Sequence, residues 1–278
     1  MTSEETGPPQ GSLGWYAQLF CPESQRGAIH GVHDLWSEIR GISLRMQDPT
    51  PARLRLAWWG EELGLLAEGR PRHPAALRLL AYCPHPERAA RLLGELLVAG
   101  EDDMSGAGCE NTDEFRLQAF RSDGAPLALL CELLGAPQEL AVDVGREAGI
   151  VIAANRALAT LGADLHHGLR PLAPWPLLKE NGLLDTSTSQ PEPPQVAPVA
   201  ALLGQLADEA AGTLERSAAG AGDALRFTRL LARLHAAEGA RARRRLGRHV
   251  PSEPVRLGTF TRLYRAWRHA MILTREET

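Results

Sequence analysis

Alanine, leucine, arginine and glutamate recur along the whole chain, and nowhere do β-branched residues alternate with polar ones over the length of a strand. The first group loses little on entering a helix, and the missing alternation is what a half-buried strand requires. The chain is therefore expected to be all-α. Helices are predicted at about 25–45, 52–68, 73–82, 86–99, 112–134, 138–162, 197–218, 221–247 and 257–273. Turn signals separate them, among them Asp48-Pro49, Arg70-Pro71, Cys83-Pro84, Gly135-Ala136-Pro137 and His249-Val250-Pro251. Thr112 or Asp113, and Asp223, are positioned to cap the helices that follow them. Leu225, Thr228, Leu231, Ala232 and His235 recur at helical spacing, which is the stripe of a bundle helix rather than of a site.

With 278 residues, 44% hydrophobic and 23% charged, one large core can be formed. The segment between Leu184 and Pro198 is rich in Pro, Ser and Thr and is expected to be a surface loop over 185–198 inside one helical domain spanning 13–278. The acidic, Pro-containing stretch 1–12 reads as a disordered tail. A net charge of −4 and a pI near 6.2 argue against nucleic acid as a partner. No run of about 18 apolar residues is present, so no transmembrane segment is expected. The polar N-terminus and four scattered cysteines, Cys21, Cys83, Cys109 and Cys131, point to a reduced, cytoplasmic protein.

Few residues suggest chemistry by themselves. Trp58 and Trp59 are adjacent, so a helix sends their rings about 100° apart, and one can be core while the other lines a groove. Glu101-Asp102-Asp103 runs into Met104-Ser105-Gly106 and reads as a solvated loop, with metal binding the minor alternative. His166-His167 reads as a polar helix end favoured by the C-terminal dipole. Arg241 to His249 is the one basic cluster and the only hint of contact with anionic headgroups. No Gly-rich phosphate loop, nucleophile elbow or zincin motif occurs.

Arg53 to Trp59, followed by Glu61-Glu62 and Gly69-Arg70-Pro71-Arg72-His73-Pro74, resembles the "K/R-L-x-W-W-x-x-E … G-x-P-x-H-P" signature of the squalene/phytoene synthase family. Gly149 to Asp164, then Gly168, Arg170, Pro174 and Glu180-Asn181-Gly182, resembles that family's second helix motif and the segment after it. The resemblance implies an isoprenoid-synthase bundle around a central apolar cavity. It also implies two aspartate-rich helices that hold Mg²⁺ against a prenyl diphosphate, because the leaving diphosphate must be neutralised as the allylic cation forms.

Where the first "E-x-D-D-x-x-D" motif would stand, this chain has Glu38-Ile39-Arg40-Gly41-Ile42-Ser43-Leu44, without its aspartates. In the second motif Asp164 remains, while Thr160 and Ala159 stand at the earlier aspartate and arginine. Pro171-Leu172-Ala173-Pro174 lacks the expected tyrosine. The resemblance thus implies a degenerate, non-catalytic member that binds a prenyl or other lipid-like ligand or a partner protein, in an assembly or scaffold role. The alternative is an active prenyl-diphosphate transferase that uses arginines in place of the aspartates, with Mg²⁺ required only in that case. Diphosphate-binding candidates are Arg40, Arg45, Asp164 and Arg170, and cavity candidates are Trp36, Trp58, Ala154 and Asn155. No metal ligands are assigned. Peripheral membrane association is expected from the lipid-like ligand.

Overall fold

A computed structural model describes residues 7–45, 48–106, 108–184, 191–219 and 222–276. Its helices are α1 (Leu13–Gln18), α2 (Arg26–Arg45), α3 (Pro49–Ala67), α4 (Pro74–Leu80), α5 (Pro86–Ser105), α6 (Thr112–Ala119), α7 (Ala125–Leu133), α8 (Gln138–His166), α9 (Trp175–Glu180), α10 (Pro193–Ser217), α11 (Arg226–Leu246) and α12 (Thr259–Glu276). A π-helical turn, Phe120–Gly124, joins α6 to α7. No strand occurs among the described residues, which carry only an isolated bridge between Cys109 and Pro174. The all-α expectation holds.

Local chemistry explains where the helices begin and end. α3 starts earlier than predicted because the Asp48 carboxylate accepts from the Thr50 amide and Pro49 enters with φ already helical. α5 runs past residue 99 to Ser105 and stops at Gly106, whose φ of 68° suits glycine. Asn111, rather than Thr112 or Asp113, caps α6 by accepting from the Asp113 and Glu114 amides at 3.0 and 2.9 Å. The short helices α1 and α9 carry too little periodicity to have been predicted.

Two expectations need correction. The loop predicted over 185–198 is helical from Pro193: Glu192 and Gln195 form a reciprocal capping box, and Val196 is buried. Pro198 lies within α10 and forfeits one backbone bond near the helix start, which that packing outweighs. Residues 185–190 lie outside the described residues. In the tail predicted over 1–12, residues 1–6 also lie outside them, but 7–12 are docked. The Gly7 amide donates to Asp34 Oδ1 at 2.7 Å, and the Gly11 carbonyl accepts from Arg262 at 2.9 Å.

α8 is the axis of the bundle, packed against α7, α10 and α11. It is the one helix among the described residues long and apolar enough to cross a membrane, but it is mostly buried within the protein. Its glycines position the site. A Cβ on Gly149 would lie 2.7 Å from Gly124 Cα, so only glycine lets α8 approach the π-helical turn so closely. The turn thereby sets Asp123 beside Arg156 of α8.

Candidate functional site

α2, α5, the π-helical turn and the C-terminal half of α8 enclose a cavity of about 930 Å³, with Gly106, Gly108, Cys109 and residues 169–173 at its rim. α2 is tied to the turn by Trp36, whose indole N–H donates to the Ser122 carbonyl at 2.9 Å. Arg40 projects from α2 and forms an ion pair with Asp103 of α5. Asp103 also accepts from the Ser43 hydroxyl and the Gln118 amide, both at 3.0 Å. On the same helix Asp102 accepts from Arg121 at 3.1 Å.

Deeper in the cavity, Arg156 donates through two nitrogens to the two oxygens of Asp123, at 2.7 and 2.8 Å, and the Ser122 hydroxyl adds a bond of 2.9 Å. Burial alone would raise the Asp123 carboxyl, but the Arg156 charge and its two bonds outweigh that and hold it below the usual range. Asp164 is different. Its bond comes from the Thr160 hydroxyl at 2.6 Å, and burial pushes it above the usual carboxylate range despite that bond and the nearby His167. At the rim, Arg170 donates to the Gly106 carbonyl and lies 3.9 Å over the Trp175 ring.

A second cavity of about 600 Å³ shares His33, Trp36, Asp123, Arg156 and Thr160 with the first, so the Arg156–Asp123 pair stands at the waist between them. Its walls include Ile152, Phe227, Leu231 and Val255, which supply the apolar surface. His33 and His235 also face it, and burial lowers both to about 4.

The donor set does not fit a magnesium cluster. No three His, Cys, Asp or Glu side chains converge among the described residues. Asp102, Asp103 and Asp123 are each bonded to a guanidinium, which presents a positive charge where a cation would have to sit. Three of the four arginines that line the cavity, Arg40, Arg121 and Arg156, are thus paired with carboxylates.

Of the sequence candidates, Trp36, Arg40, Asp164 and Arg170 line this one cavity. The side chain of Arg45 lies outside the described residues. Trp58, Ala154 and Asn155 do not line it. Trp58 is 46% exposed on a separate cleft of about 360 Å³ that it shares with Glu38, Arg55 and Trp59. Ala154 is fully buried, and Asn155 donates to Val151 and presses on Gly239 of α11, where a Cβ would meet its Oδ1 at 1.8 Å. Both are helix-packing residues. His167 pairs with the Ala163 carbonyl at the end of its own helix, whereas His166 reaches across to the Val250 carbonyl in the segment after α11.

Asp103, Arg121, Asp123 and Arg156 were missed. The solvated loop expected at Glu101-Asp102-Asp103 is the last turn of α5. The buried stripe Leu92, Leu96, Ala99 continues by four residues to Asp103, and that spacing was the available signal. Likewise Phe115, Ala119 and Asp123 follow at intervals of four, and Arg156 breaks an otherwise apolar run.

Comparison with known proteins gives a consistent result. A family model described as squalene/phytoene synthase matches residues 15–260. No curated protein matches the chain. Among solved structures, squalene synthase HpnC from Alicyclobacillus acidocaldarius is similar, with a TM-score of 0.66 at 19% identity over 83% of this chain and 88% of that one. A dehydrosqualene synthase solved in complex with a ligand is similar as well, with a TM-score of 0.65 at 14% identity over 94% of this chain and 92% of that one. At such identity the two structures establish the all-α isoprenoid-synthase fold.

Proposed function

The chain belongs to the squalene/phytoene synthase family, and from that premise we propose that it retains the family's cavity for binding and has given up diphosphate ionisation. One observation carries the reading. Arg40 stands where the resemblance places the first aspartate motif, and its charge is already met by Asp103. Ionising an allylic diphosphate requires positive charge free to follow the leaving group, and an arginine bonded to a carboxylate must break that bond first. The ligand is a prenyl diphosphate or another lipid-like molecule with an anionic head. Its tail takes the second cavity along Ile152, Phe227 and Leu231. Its head lies at the rim near Arg170, whose contacts are a backbone carbonyl and an aromatic ring. An assembly or scaffold role in the cytoplasm follows from binding without turnover, and a protein helix is the alternative occupant of the same groove.

The second reading is an active transferase that uses arginine in place of metal. Arg40, Arg121, Arg156 and Arg170 all face one chamber, which favours it. It demands that the ion pairs open on substrate binding.

Titration calorimetry of the purified chain with farnesyl diphosphate and with farnesol, in vesicle-free buffer without magnesium, tests the binding reading. Saturable heat for the diphosphate is expected, and Thr160→Trp, placed where the two cavities meet, should abolish it. No binding of either ligand, with the protein folded, would transfer the role to a protein partner.

A further inference from the structure

The last helix has two apolar faces where a bundle helix needs one. Ala266, Ala270 and Leu273 of α12 are buried against the bundle, whose nearest elements are α1 and α11. Phe260, Tyr264, Trp267 and Met271, spaced by four, three and four residues, form a different stripe that points outward. Phe260 is 88% exposed and Trp267 50%, and Leu263 and Ile272 extend the patch. The helix cannot roll to hide it, because Arg262 on its inner side bonds to Glu238 and to the Gly11 carbonyl.

Six large apolar side chains held in water on one short helix call for an occupant. The charges beside them select it. Besides Arg262, whose charge Glu238 already meets, α12 carries Arg265, Arg268 and Arg275 against a single acid, Glu276, and Arg268 and Arg275 are exposed next to the stripe. A second copy packed stripe to stripe would bring these arginines against their mates with almost no carboxylate to meet them. An anionic lipid surface complements both features: headgroup phosphates meet the guanidiniums, and the indole and phenol rings favour the boundary between water and hydrocarbon.

We propose that α12 lies flat on an anionic bilayer surface through Phe260, Tyr264, Trp267 and Met271. This places membrane contact on α12 rather than on the arginine cluster of α11, where Arg243 is paired with Asp208. The site also adjoins the ligand route. Arg262, together with Val255 and Arg256 of the segment leading into α12, lines the second cavity, so docking sets that cavity beside the lipid. The docking itself does not depend on what the cavity binds.

Cosedimentation of the full chain with phosphatidylcholine vesicles, with and without phosphatidylglycerol, tests it. Binding is expected to the anionic vesicles, to weaken with added salt, and to fall about tenfold in the Phe260→Glu/Trp267→Glu variant. Both side chains are exposed, so the variant should keep the parent melting temperature; Phe260→Glu alone serves if the pair does not fold. Equal binding by the variant, or no binding by the parent chain, would overturn the proposal. So would a dimer in vesicle-free buffer that the variant dissolves, since a second copy would then own the stripe. Ligand titration in vesicle-free buffer reads the cavity separately, so the two proposals fail independently.

Discussion

Two regions carry the family resemblance, and they do opposite work. Around Trp59 the signature is intact and structural. Trp59 is 4% exposed, with its ring 4.7 Å from that of His73, and the buried Glu62 carboxylate accepts from the Arg72 and His73 amides at 2.6 and 2.7 Å. His73 then caps α4. Glu62 and His73 thus satisfy backbone groups that would otherwise be orphaned where the chain turns from α3 into α4. Along α2 and α8 the signature is eroded, and there the side chains face the cavity. What identifies the chain is its scaffold, whereas its chemistry is decided where it departs from the pattern.

Trp59→Ala should show the first region's role most strongly. Removing a buried indole costs about 3–5 kcal/mol, read as a drop in the denaturant midpoint, while farnesyl diphosphate affinity stays level as long as the protein is folded. A large affinity loss would erase the distinction between scaffold and site.

The cavity waist gives the next effect. Asp123→Ala leaves Arg156 without its carboxylate, at a cost of roughly 2 kcal/mol, below the range for a fully buried pair because the guanidinium is 36% exposed to the cavity. Asp123→Leu combined with Arg156→Met should recover most of it, because an apolar pair avoids desolvating two charges. A double variant no more stable than Asp123→Ala would mean that the pair is worth more than its apolar substitute.

A pH series separates the regions further. His33 and His235, held down to about 4 by burial, stay neutral in the fold while the unfolded chain takes up protons from about 6.5 downward. The unfolded state binds more protons in that window, so stability falls on acidification from about 6.5 to about 4. Depression of Asp123 acts in the same direction at lower pH, its stabilisation present above the ordinary aspartate range and lost as pH falls through the folded value. The Asp164 carboxyl is raised, so its contribution runs the other way, and the folded state gains as pH falls to the ordinary aspartate range. Melting temperatures of the parent chain and Asp164→Asn against pH should show the Asn variant losing more on acidification; parallel curves would deny Asp164 its buried character.

Arg40→Ala should have the smallest effect. The pair with Asp103 is partly exposed to the cavity and is worth about 1 kcal/mol, and ligand affinity should stay within about threefold, since the Arg170 rim holds the head. Loss of all binding would move the anion site to Arg40 and favour the arginine-based transferase.

The sequence made much of the bundle legible, because helix-forming composition and caps act locally. The boundaries it missed depended on partners elsewhere or on a competing signal: α10 reads as a Pro-rich loop until Val196 finds the core, and 7–12 reads as a tail until Asp34 and Arg262 hold it. The helix predicted over 112–134 runs through as α6, the π-helical turn and α7, but the turn itself was not legible: it lies where Gly124 meets Gly145 and Gly149 of α8. That same contact sets Asp123 against Arg156, so half of the candidate site was invisible for the reason the turn was. Arg40, Asp164 and Arg170 were reachable through the motif alignment; their carboxylate, hydroxyl and backbone-carbonyl partners, 4 to 64 residues away in sequence, were not.

Release of inorganic diphosphate from farnesyl diphosphate, measured with and without magnesium on protein shown to bind the ligand, separates binding from turnover. Binding with no release above the solvent background is expected under either condition. Magnesium-dependent release would contradict this, since it would require carboxylates to coordinate metal where the structure has them bonded to arginine.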